Sequence, residues 1–198
     1  MSVSMQSDQR PWDQASSRLI ERLFADGIVR MGPSRHDPNL SVATLNQEKL
    51  ASLATLGRAE SERFDWLIGA WRFENPVPAT PLSPAYCDRG TAAFARSDDG
   101  RWISAVTADG RRLPMITFDA LSRTWMYLLM SGSYGLLRSA GWVGNQIVFT
   151  GLMTMIGIEC DWKMTWTKTG DDAFGFVNEQ RLADGSWAYI DEWRYWRT

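Results

Sequence analysis

Eleven tryptophans among 198 residues limit what this chain can fold into, because so many large indole rings can be sheltered only where several elements converge. Nine of them, Trp71, Trp102, Trp125, Trp142, Trp162, Trp166, Trp187, Trp193 and Trp196, fall after Gly69 in short runs of aromatic and β-branched residues. Rings recurring along strands predict a barrel-like core lined with aromatics, and a cavity suited to a flat apolar ligand.

Turn dipeptides separate those runs: Asp99-Gly100, Asp109-Gly110, Gly144-Asn145, Gly170-Asp171 and Asp184-Gly185. They predict strands at 69–75, 86–97, 101–108, 112–118, 123–130, 133–141, 145–153, 157–168, 173–181 and 186–196. About ten antiparallel strands in up-and-down order would curl and close. The clearest alternation runs from Ile158 to Trp166, where even positions are apolar and the odd ones, Glu159, Asp161, Lys163 and Thr165, are polar. A barrel of this size need not be filled by side chains, so a packed interior and a binding cavity both stay open at this point.

Before Gly69 the period is helical. Residues 1–12 read as a disordered polar tail, and Leu19, Ile20, Leu23, Phe24, Ile28 and Val29 mark an amphipathic helix ending at Gly32-Pro33. A Pro-rich loop follows over 32–41, then a second helical segment through Leu45, Leu50, Leu53, Leu56 and Phe64, broken near Gly57. The expected organisation is a tail (1–12), a helical segment packing on the barrel (13–63) and a barrel domain (64–198).

Net charge is −2 and basic residues are scattered among acidic ones, which argues against nucleic acid as a partner. The first residues lack the pattern of a signal peptide, and no run approaches the ~18 apolar residues of a membrane span. The expectation is a soluble, cytoplasmic protein. Cys87 and Cys160 are far apart, form no CxxC pair and read as reduced core thiols.

The segment Phe64-Asp65-Trp66-Leu67-Ile68-Gly69-Ala70-Trp71 resembles the start of the first strand in calycin-type barrels, where Gly-x-Trp follows a short helix. With Gly141-Trp142-x-Gly144, the Trp162-to-Trp166 strand and the closing Glu192-Trp193-Arg194-Tyr195, residues 64–198 look like the small bacterial barrels of the DUF1579 or nitrobindin-like kind. That resemblance implies that an arginine from the end of the barrel covers Trp71, Arg194 being the nearest match and Arg197 the alternative. Haem-binding relatives hold iron through a histidine of the C-terminal strands. The stretch from Trp187 to Trp196 has none, so no haem and no other cofactor is expected. A competing architecture is the NTF2-like α+β cone, which also begins with helices but has fewer strands.

His36, the one histidine, lies in the 32–41 loop, so a three-histidine metal site is impossible and no metal is expected; a catalytic triad would need that loop to fold over the barrel. Ser133 and Ser139 lack a Gly-x-Ser-x-Gly setting. More telling are charges on aromatic faces. Alternation from Tyr134 to Trp142 places Arg138 with Tyr134, Leu136 and Trp142, where it would hold a ligand carboxylate or phenolate. On the last strand Asp191 shares a face with Trp187, Tyr189, Trp193 and Tyr195, surroundings that raise a carboxyl pKa toward acid–base use. A structural Arg138 pair with Asp191 or Glu192 is the plain alternative, and a bulge in the last strand would turn Glu192 and Arg194 inward instead. Met115, Met126, Met130, Met153, Met155 and Met164 suit an adaptable pocket and a filled core equally.

Three readings result. The first is binding of a small apolar or aromatic molecule, with Tyr127, Tyr134, Arg138, Trp142, Trp162 and Trp193 as contacts. The second is a cofactor-independent lyase or isomerase in the same cavity, with Asp191 or Glu192 moving a proton and Arg138 or a tyrosine stabilising an oxyanion. The third is a filled barrel whose N-terminal helices form a homodimer contact.

Overall fold

The computed structural model describes residues 47–198 apart from positions 82, 99, 109, 111 and 156. The tail 1–12, the first expected helix and the 32–41 loop with His36 lie outside the described residues. Helix α1 (Gln47–Glu62) belongs to the same compact unit as the barrel, Asn46–Thr198. This helix runs unbroken through Gly57, contrary to the expected interruption. A Cβ at Gly57 would lie 3.8 Å from that of Ala120, an ordinary van der Waals contact, so the packing there does not demand glycine. Among the described residues no helix is long and apolar enough to cross a membrane.

A 3₁₀ turn (Asp65–Leu67) leads into the strands β1 (Gly69–Val77), β2 (Tyr86–Arg96), β3 (Trp102–Thr107), β4 (Arg112–Asp119), β5 (Thr124–Ser131), β6 (Ser133–Ser139), β7 (Trp142–Val143), β8 (Gln146–Met155), β9 (Ile158–Lys168), β10 (Ala173–Arg181) and β11 (Trp187–Arg197). All pairings are antiparallel. Strand β1 pairs with β11 and β6 with β8, which closes a ring of ten strands; two-residue β7 pairs with β8 alone. Closure leaves no unpaired edge in the ring and rules out the open cone of the NTF2-like alternative.

Inside, the interior has two ends of different character. Phe64 and Leu67, both fully buried, plug the end where β1 starts. The Phe64 ring lies 4.7 Å from Trp125, 5.1 Å from Trp142 and 6.2 Å from Trp166. Dense aromatic contact fills this half, although the Nε1 atoms of Trp125, Trp142 and Trp166 find no acceptor among the described residues.

The plug is fixed by one cluster. Trp71 Nε1 donates to the Leu67 carbonyl at 2.7 Å, and the Arg197 guanidinium covers the Trp71 ring at 4.1 Å. Arg197 also donates to the carbonyls of Ile68, at 2.7 Å, and Trp66. Gly69 has φ +124°, and a Cβ there would come within 2.6 Å of Arg197 Nη1. Register explains why Arg197, and not the nearer match Arg194, covers Trp71. Arg197 stands directly opposite Trp71 and so shares its face, whereas Arg194 stands opposite Glu74 and forms an exposed pair with Glu192 at 2.8 Å.

Arg197→Met should therefore lower unfolding stability by about 2–4 kcal/mol, since it abandons two carbonyls and uncovers an indole. Arg194→Met should change it by less than about 1 kcal/mol, as expected for a surface pair. Urea denaturation of the two variants checks this; equal effects would mean that the cluster does not hold the plug.

Candidate functional site

Above the plug the interior opens. A cavity of about 180 Å³ is lined by Phe94, Tyr127, Leu129, Met153, Met155, Trp162, Met164, Trp166, Phe176, Asn178, Asp191, Trp193 and Tyr195. Alternation on each strand supplies these groups: Trp162, Met164 and Trp166 from β9, Phe176 and Asn178 from β10, and Trp193 and Tyr195 from β11. Rings stack along one wall, with Trp166 to Phe176 at 5.2 Å and 13° and Phe176 to Trp193 at 5.8 Å and 18°.

Polar groups gather at one place. Asn178 Nδ2 donates to Asp191 Oδ1 at 2.7 Å, and Trp162 Nε1 donates to Asn178 Oδ1 at 3.1 Å, which fixes the amide's orientation. Asn75 fits best with its oxygen accepting from Trp193 Nε1 at 3.0 Å and its nitrogen donating to the Glu192 carbonyl at 3.2 Å. The opposite orientation offers only a 3.4 Å contact to Asp191 Oδ2 and faces donor with donor. Asp191 Oδ2 is thus the less engaged oxygen. No lysine or arginine among the described residues pairs with this carboxylate.

Burial pushes the Asp191 carboxyl above the ordinary range, and hydrogen bonds, chiefly from Asn178, pull it part of the way back. Tyr127, fully enclosed, is raised well above the usual phenol value, first by burial and then by the fields of Tyr195 and Asp191.

A β-bulge keeps Asp191 inside. Asn178 pairs with Asp191 but Glu179 pairs with Tyr189, so Ile190 is the extra residue and the faces exchange across it. Trp187 and Tyr189, expected beside Asp191, stand outside: Lys163 Nζ lies 4.9 Å over the Trp187 ring, and Tyr189 is half exposed. Glu192 and Arg194 do not turn inward, because the bulge falls before Asp191.

Of the other expected contacts, Tyr127, Trp162 and Trp193 line the cavity. Arg138 and Tyr134 do not; both are exposed on the outer face. Tyr127 pairs with Leu137 and Trp125 with Ser139, and these inward residues leave Arg138 outside. The assumed continuity to Trp142 fails at Gly141, where φ is +122° and β6 has ended. Trp142 belongs to β7 and packs on Phe64 in the plug, away from the cavity.

Sequence reasoning missed Asn75 and Asn178. The signal was present, since each ends an inward aromatic row: Trp71, Phe73, Asn75 on β1 and Phe174, Phe176, Asn178 on β10.

No known family profile and no curated protein matches this chain. Among solved structures it is similar to Rv2717c from M. tuberculosis, at 13% identity over 69% of this chain and 96% of that one, with a TM-score of 0.48. It is also similar to a protein of unknown function of the DUF3598 family from Nostoc punctiforme, at 12% identity and a TM-score of 0.36, over 68% of this chain and 48% of that one. The closed barrel rests on the strand pairings themselves, and the DUF1579 kind is not among the matches.

A carboxyl with a raised folded-state pKa binds more protons folded than unfolded, so its contribution to stability falls as pH rises from the unfolded value, about 3.9, through the folded one. Asp191→Asn should accordingly be more stable than the wild type at pH 7, and the advantage should vanish below about pH 4. Melting curves across pH test this; a variant less stable at pH 7 would show that the ionised carboxylate is well solvated or paired.

Proposed function

We propose that the barrel binds a compact, mainly apolar molecule, in the size range of a single aromatic ring with a short arm, in the cavity beneath Asp191. The observation that carries this reading is the 180 Å³ space walled by stacked rings and methionines in an otherwise densely packed interior. Roughly 150 Å³ of apolar cavity accommodates benzene, which sets the scale. Met153, Met155 and Met164 give the wall adaptable surface, and Tyr127 and Asp191 offer polar anchors.

The filled-barrel reading has this cavity against it. The acid–base reading has lost Arg138, its intended oxyanion stabiliser, to the outer surface, and rests on Asp191 and Tyr127 among the described residues. Ligand binding is therefore the better supported of the three.

Benzyl alcohol is a suitable neutral probe, and tryptophans at the wall should report it by a fluorescence change. Met155→Trp places a large ring at a half-buried wall position and should weaken binding at least ~10-fold with little change in melting temperature. Saturable binding that survives this substitution unchanged would locate the ligand elsewhere.

A further inference from the structure

Within that reading, we infer that the cavity selects a small organic cation, a protonated amine on a compact apolar or aromatic body, with the ammonium at Asp191 Oδ2 and its carbon frame against the stacked rings. The inference deepens the binding proposal and depends on it. It also reverses the sign of charge expected from the sequence: with Arg138 outside, the charged side chain lining the cavity is a carboxylate.

Three observations lead to this class of ligand. The first is the incomplete set of partners around Asp191. A carboxylate can accept about four hydrogen bonds. Asn178 supplies a firm one to Oδ1, whereas Trp193 Nε1 is shared with Asn75 and the Asn75 amide reaches Oδ2 only at 3.4 Å, in the less favourable of its two orientations. All three are neutral, and no cation among the described residues completes the shell. A half-buried carboxylate without a countercharge is costly, and a ligand ammonium supplies both the charge and the missing donors.

The second is the wall itself. Trp193, Phe176, Trp166 and Tyr195 present a nearly parallel series of rings beside the carboxylate, with Trp193 to Tyr195 inclined by 17°. A carboxylate among these rings discriminates strongly against anions.

The third is orientation. Trp162 holds the Asn178 amide by its oxygen, so Asn178 can only donate toward Asp191. The carboxylate is thereby preset as an acceptor toward the cavity, which limits the reorganisation that binding requires. Among the described residues Tyr127 and Tyr195 line the cavity with Asp191, and Tyr189 feels its field from the outer face. Burial holds the Tyr127 phenol well above its usual value, so it stays neutral near pH 7 and the charge of Asp191 sets that of the site.

The experiment compares three probes of similar shape on the full chain at pH 7.5 by calorimetry or tryptophan fluorescence: benzylamine, benzyl alcohol and benzoate. Benzylamine should bind at least ~10-fold more tightly than benzyl alcohol, and benzoate should not bind measurably. In Asp191→Asn the advantage of the amine over the alcohol should disappear. A second arm needs no variant: as pH falls through the Asp191 titration, benzylamine affinity should drop while that of benzyl alcohol holds.

Benzyl alcohol binding as tightly as benzylamine in the wild type, or an amine preference that persists in Asp191→Asn, would overturn this inference and leave the cavity-binding proposal standing. Failure of all three probes to bind would overturn both.

Discussion

The contact on which the rest depends is the cover of Arg197 over Trp71. It ties the last strand to the first and, through the carbonyls of Ile68 and Trp66, to the 3₁₀ turn that carries Phe64 and Leu67 into the barrel. A single guanidinium thus joins ring closure to the sealing of one end. With that end filled by Phe64 and three indoles, free volume can persist only farther up the barrel. There the wall encloses a void, and methionines line part of it.

The same division separates stability from chemistry. Around Phe64 the large side chains are almost fully buried and contribute cohesion, in the usual way of close-packed aromatic interiors. Around Asp191 the chain accepts a poorly compensated carboxylate, a strand irregularity at Ile190 and a void. The poorly compensated carboxylate and the void both lower stability, which is the pattern expected where a fold gives up cohesion for a binding surface.

Much of the barrel was legible in the sequence because its signals are local. Gly-containing turns, period-2 runs and the Gly69-x-Trp71 motif each report on a few neighbouring residues, and the expected strands match the observed ones closely. Which side chains face inward was legible only where alternation continues unbroken, as in Trp162, Met164 and Trp166. It failed at Gly141, where a break disconnects Arg138 from Trp142, and near Ile190, where a bulge exchanges the faces of Tyr189 and Asp191. Both depend on pairing with distant strands, which a one-dimensional pattern does not carry. Arg197 was harder to choose than Arg194 for the same reason, since only the β1–β11 register distinguishes them.

Asp191 holds its carboxyl half-buried at the wall of an aromatic cavity, largely shielded from bulk water. The most direct measurement is the carboxyl carbon titration of Asp191 by NMR in protein labelled at aspartate, with the resonance assigned by its loss in Asp191→Asn. The account predicts a midpoint above the ordinary aspartate value of about 3.9. A midpoint at or below that value would place the carboxyl in water or beside a cation, and would contradict the account.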